Sequence, residues 1–387
     1  MSIKLGIIGG GQLAWMMADA VNKLGVKLIV QTPSQNDPAV SIAQDSIFAP
    51  INDAAATEIL AQKCDIITFE NEFVNLAALS LLEKKGVCFR PQLSALAPVL
   101  DKYEQRCYFK ELGLPVPEFL ALSREQEIEL EIANFGFPIV LKARRHGYDG
   151  QGTFIIRDIA TLSKIINQSQ TQFLVEEFVP FQRELAIIAA RSVNGEIVIY
   201  PTVETFQENQ VCRWVIAPAK ISQEQSLEIE AIAHKLLNSL QYVGILGIEL
   251  FLKADGTILV NEIAPRTHNS GHFTLDACAT SQFEQHLRAV CSLPLTNTTL
   301  NCHSAVMVNL LGYEISQSDY QKQRQQLADI PQATVHWYGK TESRPGRKLG
   351  HITVLSDQDN RNTVKGIIHQ IESIWYPPEK ICENFPK

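Results

Sequence analysis

The sequence predicts an α/β protein of several domains that opens on a parallel sheet with helical crossovers. Three observations carry this. The first hundred residues alternate apolar strand and helix: Lys4–Ile8, a GGGQ turn, a helix with Leu13, Met16, Met17, Ala20, Val21 and Leu24 at helical spacing, then buried strands at 27–31 and 65–69. Two tight-turn pairs, Asn194-Gly195 and Asp255-Gly256, join apolar segments as antiparallel hairpins. A chain of 387 residues also exceeds what one core serves, so two or three domains are expected.

The elements follow in order. Pro91 and Pro98 bracket a boundary that closes a first domain at 1–98. The next domain, 99–300, begins with a helix carrying Tyr103, Cys107 and Phe109, which ends at Gly113 and is stopped by Pro115 and Pro117. Strands at 139–142, Thr153–Ile156 and 173–176 surround a glycine-rich loop, and the segment 115–178 is expected to be a lid. A hairpin at 184–191 and 196–200, a helix at 223–240 and a hairpin at 246–262 complete this domain. Residues 301–387 show short strands and a Pro/Gly/Arg-rich loop, and are expected to form a small closing module.

Composition excludes several classes. Apolar residues make up 45 % and charged residues 20 %, as in an ordinary globular enzyme. A net charge of −8 argues against a general nucleic-acid binder. No apolar run reaches the roughly 20 residues a membrane span needs, and the chain enters its first strand without a signal-peptide layout. The eight cysteines are scattered, most beside apolar residues, and are expected to be reduced core thiols in a cytoplasmic protein.

The strongest chemical signal is the hairpin ILGIELFLKADGTILVNEIAPR. A two-residue turn at Asp255-Gly256 sets Ala254 against Thr257, Phe251 against Val260 and Glu249 against Glu262. Opposed carboxylates repel; a divalent cation between them removes the penalty, and hard oxygen ligands suit Mg²⁺. The alternative is a pair of solvent-facing glutamates at a sheet edge. Lys142 ends the apolar strand IVLK and leads into Arg144, Arg145 and HGYDGQGT, whose Gly147, Gly150 and Gly152 suit a loop that folds over phosphates. The VEEFV run, Glu176, Glu177, Phe178 and Val179, has the character of a hinge strand whose backbone pairs with an adenine edge, with Glu184 placed for ribose hydroxyls. Two basic loops, APRTHNSG with Arg266, His268 and Asn269, and WYGKTESRPGRKLGH with Lys340, Arg344, Arg347 and Lys348, suit recognition of a phosphorylated small substrate. The GGGQLA turn is either a phosphate site or a tight structural turn. A nicotinamide site is disfavoured because the second strand ends in Gln31-Thr32-Pro33 without an acid.

Taken together, Lys102, Lys142, GYDGQG, EEFV and the Glu249/Asn261/Glu262 set resemble the ATP-grasp superfamily. Within it, GGGQLA, GYDGQGT, NEIAPRTHNSGH, SQFEQHLRA and HWYGK…RPGRKLGH resemble the 5-(carboxyamino)imidazole ribonucleotide synthetases, from the first strand to about His351. The resemblance implies ATP-dependent carboxylation of aminoimidazole ribonucleotide by bicarbonate, through carboxyphosphate, in a homodimer. It places Lys102 and Lys142 on ATP phosphates, Glu176 to Val179 at the adenine, and Glu184 at the ribose. The glycine loop from Gly147 to Thr153 and Phe251 would lie beside the nucleotide. Mg²⁺ would sit on Glu249 and Glu262 with Asn261 nearby. Tyr148, Asp149, Arg266, His268, Asn269, Lys340 and Arg347 would surround the imidazole nucleotide and bicarbonate, with either Asp149 or His268 handling the proton. The chain departs from the family at Gln151, where Arg or Lys is usual, and water, Arg144 or Arg145 is the expected substitute.

Overall fold

The structure is a computed structural model that describes residues 2–122, 132, 135–145, 147, 152–358 and 360–378. Three of the first four strands are buried along nearly their whole length, as a sheet covered on both faces requires, and the edge strand Asp45–Phe48 is not. The four are β1 (Lys4–Ile8), β2 (Lys27–Thr32), β3 (Asp45–Phe48) and β4 (Ile66–Phe69), paired in parallel in the order β3-β2-β1-β4. The single helix expected after the glycine turn is two short ones, Gln12–Trp15 and Ala18–Leu24.

A second sheet is wholly antiparallel: β5 (Phe119–Ala121), β6 (Ile139–Ala143), β7 (Thr153–Ile156) and β8 (Phe173–Glu177), in the order β5-β8-β6-β7. It has a small core of its own around Ile139, Leu141, Leu162 and Val175.

The largest sheet has nine strands: β9 (Phe181–Arg191), β10 (Ile197–Ile199), β11 (Val203–Glu208), β12 (Val211–Ala217), β13 (Gly244–Lys253), β14 (Ile258–Ala264), β15 (Ser304–Leu311), β16 (Ala333–Trp337) and β17 (Lys348–Ser356). Their order is β14-β13-β9-β11-β12-β15-β17-β16, with β10 on the free part of β9. The helix Gln223–Ser239 starts at a capping box, in which Ser222 and Gln225 satisfy each other's backbone N–H.

The expected closing module joins this sheet edge to edge. β15 pairs with β12 at Trp214↔Val308, so the last strands extend the central sheet. All eight residues of β15 are buried, and a strand covered on both faces carries no alternation to reveal its neighbours. The long helix Arg361–Trp375 was also absent from the reading, although Val364, Ile368, Ile371 and Trp375 recur on one buried face. Among the described cysteines all are free; Cys278 and Cys291 are core residues as expected, whereas Cys88 is exposed.

The helix Gln282–Val290 stitches the first sheet to the central one. Phe283, Leu287 and Val290 pack with Met17, Ala20 and Val21. On the same helix, His286 Nδ1 accepts from the backbone N–H of Ile245 at 3.2 Å, which leaves the ring proton on Nε2 to reach Thr68 Oγ1 at 2.9 Å. Burial pushes this imidazole down to about 4, from an ordinary 6.5. The unfolded chain therefore takes up the proton first. The stability involved is fully present above pH 6.5 and declines as pH falls toward 4, by about 3 kcal/mol in all. Denaturant midpoints measured at pH 7.5 and 5 should show this loss. His286→Ala should cost about 2–4 kcal/mol at pH 7.5 and make the acid-side slope shallower.

Candidate active site

The β13–β14 hairpin sets the geometry. Its turn is one residue longer than expected: Lys253 accepts from Gly256 and donates to Thr257, and Gly256 takes a φ of +90° that suits glycine. Phe251 therefore faces Leu259, and not Val260 as the two-residue turn required. A β-bulge then restores the phase, and Glu249 lies directly opposite Glu262. The extra residue is Asn261. Strand alternation alone would send Asn261 and Glu262 to opposite faces; the bulge lets both serve the same cluster.

That cluster is a lattice of opposite charges. Glu262 is ion-paired with Lys102, at the start of the helix Lys102–Glu111. Asn261 accepts from Lys142 at 3.0 Å and reaches Glu249 at 3.5 Å. Glu249 also meets His268 Nε2 at 3.2 Å. Burial alone would raise the Glu262 carboxyl, but the charges of Lys102 and Lys142 hold it down at about 2. Glu184 is diagonal to Glu249 across β9 and β13; burial and the Glu249 charge outweigh the more distant Lys142 and push it up to about 8.

Glu176 anchors the segment expected to be the hinge. It is 2 % exposed. It pairs with Lys142 at 2.7 Å and with Arg106 Nε, while Arg106 also donates to the Val260 carbonyl at 2.9 Å. Burial would raise this carboxyl; Arg106 and Lys142 hold it at about 2. The same burial pulls the Lys142 ammonium below its usual range despite Glu176. Of the remaining hinge residues, Glu177 accepts from the backbone N–H of Glu118 at 3.2 Å, Phe178 is 38 % exposed and Val179 is buried. Phe251 stacks flat on Phe181, centroids 4.8 Å apart.

Tyr148, Asp149, Gly150 and Gln151 lie outside the described residues. At the edges of that loop, Gly152 has φ +84° and a Cβ there would come within 2.9 Å of Ala143, and the carbonyl of Thr153 accepts from Gln210 at 3.2 Å. Arg144 and Arg145, the expected substitutes for Gln151, share a carboxylate partner. Both pair with Asp101, at 2.9 and 3.2 Å, and Arg144 also covers the Tyr103 ring.

The basic loops divide. Arg266 is clamped by both oxygens of Glu72, at 2.7 and 3.3 Å, and Asn269 forms a reciprocal amide pair with buried Asn309 at 2.8 and 2.9 Å. Arg266, His268 and Asn269 thus stand beside the Glu249/Glu262 pair. Lys340 and Arg347 bond within their own loop, to the carbonyls of Lys348 at 2.6 Å and Glu342 at 2.9 Å. The GGGQ turn resolves as a structural one packed on a carboxylate: Cβ atoms at Gly9 and Gly11 would each lie 2.5 Å from Glu70.

Arg106, Glu72, Glu70 and Asn309 were missed. Arg106 had a signal, since it follows Lys102 by four residues and shares its helix face. The FENE run at the end of β4 was the signal for Glu70 and Glu72. Asn309 lies in an apolar strand with nothing local to mark it.

Comparison with known proteins agrees with this geometry. Residues 2–99 match a ribonucleotide synthetase preATP-grasp domain, 107–283 an ATP-grasp domain, and 305–363 a phosphoribosylaminoimidazole carboxylase C-terminal domain. The N5-carboxyaminoimidazole ribonucleotide synthase of Synechococcus elongatus is 53 % identical over 380 residues, covering 97 % of this chain and 96 % of that one. The Thermotoga maritima synthetase superposes with a TM-score of 0.82 at 39 % identity, over 95 % of this chain and 96 % of its own. The Aspergillus clavatus enzyme, solved with ADP and 5-aminoimidazole ribonucleotide, gives 0.88 at 30 % identity, over 96 % and 98 %. On sequence, fold and domain order alike, this chain belongs to the N5-carboxyaminoimidazole ribonucleotide synthase family of ATP-grasp ligases.

Proposed function

We propose that the chain joins bicarbonate to the exocyclic amine of 5-aminoimidazole ribonucleotide, using ATP and releasing N5-carboxyaminoimidazole ribonucleotide, ADP and phosphate. The observation that carries this reading is the face on which Lys102, Lys142, Glu249 and Glu262 meet beside Arg266, His268 and Asn269. The relative captured with ADP and the ribonucleotide names the same pair of ligands.

Bicarbonate is a poor electrophile. Its oxygen attacks the γ-phosphorus, the bond to ADP breaks, and carboxyphosphate forms. The amine nitrogen then attacks the carboxyl carbon, phosphate leaves with the bonding pair, and the nitrogen gives up a proton. Lys102 and Lys142 take the ATP phosphates and offset charge as the phosphoryl group moves. Adenine pairs with the backbone of 176–179, Glu184 takes the ribose, and Phe251 with Phe181 flanks the nucleotide. The opposed carboxylates Glu249 and Glu262, with Asn261, fit Mg²⁺: they are hard oxygen ligands, and Glu262 already holds a cation, the Lys102 ammonium. Bound there, Mg²⁺ supplies positive charge against the phosphates. Arg266, His268, Asn269, Lys340 and Arg347 surround the ribonucleotide and bicarbonate, with Tyr148 and Asp149 completing the set. The loop from Gly147 to Thr153 closes over carboxyphosphate and keeps water out. We carry over the family's homodimeric assembly and a cytoplasmic setting; no described helix is long and apolar enough to cross a membrane.

Two outcomes test this. The ribonucleotide should strongly stimulate ADP release from Mg²⁺-ATP and bicarbonate. Glu262→Gln should lower that rate by at least about 100-fold and weaken Mg²⁺-dependent ATP binding in calorimetry; stimulation by the ribonucleotide that is absent in the wild type would sink the substrate assignment. Glu176→Gln strips Lys142 and Arg106 of their buried partner. It should cost about 3–5 kcal/mol in denaturant unfolding and raise the KM for ATP.

A further inference from the structure

Between the two basic loops lies a buried histidine stack that the reaction described above does not use. The rings of His272 and His351 are 5.2 Å apart at 40°, and those of His351 and His336 are 4.5 Å apart at 15°. At one end, His336 Nε2 meets both oxygens of Asp276, at 2.9 and 3.1 Å. In the middle, His351 Nδ1 bonds the Tyr338 hydroxyl at 2.7 Å, and the Lys340 ammonium rests 5.6 Å above the Tyr338 ring. At the other end, Gln282 bonds His272 at 3.2 Å and holds the backbone of His268 at both its N–H and its carbonyl, at 3.0 and 2.7 Å. One continuous chain of contacts therefore runs from His268, on the catalytic face, to Lys340.

The stack is not arranged as a metal centre. Donor atoms of Asp276, His336 and His351 lie within 4.8 Å of one another. However, the His336 and His351 planes are nearly parallel, so their in-plane lone pairs run side by side and do not meet at one ion. Tyr338 already occupies one His351 nitrogen. Nor is the stack an economical piece of core. His272 and His351 are fully buried, and each leaves its Nε2 without a partner among the described residues. Such an arrangement costs the desolvation of each group, where an apolar residue would cost nothing of the kind.

We infer that the Asp276–His336 pair, acting through His351 and Tyr338, is a positioning device that fixes the loop from Lys340 to Lys348 at the phosphate of the ribonucleotide. None of the four touches substrate. The inference rests on the reading that this loop clamps that phosphate. It makes β16 and β17 the backing of the clamp: His336 and His351 are direct partners across these strands, so a shift of one ring is a shift of the strand that leads into Lys340. Asp276 anchors the outer ring to the segment that follows the loop containing Arg266, His268 and Asn269, which keeps the two loops at a set separation.

The experiment compares wild type with Lys340→Ala, His336→Phe and His336→Gln, measuring KM for the ribonucleotide, KM for ATP and kcat. Phe keeps the ring and loses the bond to Asp276, whereas Gln keeps an N–H near the Nε2 position. His336→Phe should raise KM for the ribonucleotide about tenfold with KM for ATP and kcat changed less than about twofold, and His336→Gln should restore most of it. A fall in kcat alone, an equal rise in both KM values, or no change in His336→Phe overturns the inference. Lys340→Ala separates the two levels. If it leaves KM for the ribonucleotide unchanged, the phosphate clamp itself fails; if it raises KM while His336→Phe does not, only the positioning role fails. Thermal melts accompany each variant, and should His336→Phe not fold, Asp276→Asn carries the same comparison from the loop side.

Discussion

The face around the β13–β14 hairpin depends on the balancing of charge. Glu176, Glu249 and Glu262 converge on it, and their mutual repulsion is contained by Lys102, Lys142 and Arg106. Glu184 shows what happens where burial and a neighbouring carboxylate outweigh the cations, since it is pushed toward its neutral form. The pairing also ties distant parts of the chain together. Lys102 comes from a helix that follows the first domain, Lys142 and Glu176 from the lid sheet, and Glu262 from the central sheet.

Much of this face was legible in the sequence because it is local. Lys142 at the end of an apolar strand, the glycine loop after it, and the two glutamates of one hairpin are all visible within short windows. What was not legible depended on which side of an element is covered. In VEEFV the two glutamates alternate, and nothing in the run says that Glu176 is the one facing Arg106 while Glu177 stays near the surface. The pairing of β12 with β15 was hidden for a related reason: the strands are far apart in the chain and β15 is apolar on both faces. The opposition of Glu249 and Glu262 was right in its result but not in its route, since a longer turn and a bulge shift the register in opposite senses.

The first domain contributes to the site by support. Its glycine turn packs on Glu70, and Glu72 two residues later holds Arg266 in a bidentate clamp. The acid that a dinucleotide site would need after the second strand is missing, while the acids at the end of β4 face the central domain. A fold shared with nucleotide-binding proteins is used here as a wall of a different site.

The bulge at Asn261 has a practical consequence. It divides the hairpin into two segments whose phases are set independently. The inner one is pinned by Gln105, which receives the Ile263 N–H at 3.1 Å, and the outer one answers to the turn at 254–256. Ala254 and Asp255 are solvent-exposed. A fluorophore or short tag placed at that tip would sit on the same two strands as the catalytic carboxylates, yet beyond the point where register matters to them, and so could report on the hairpin without rewriting the site.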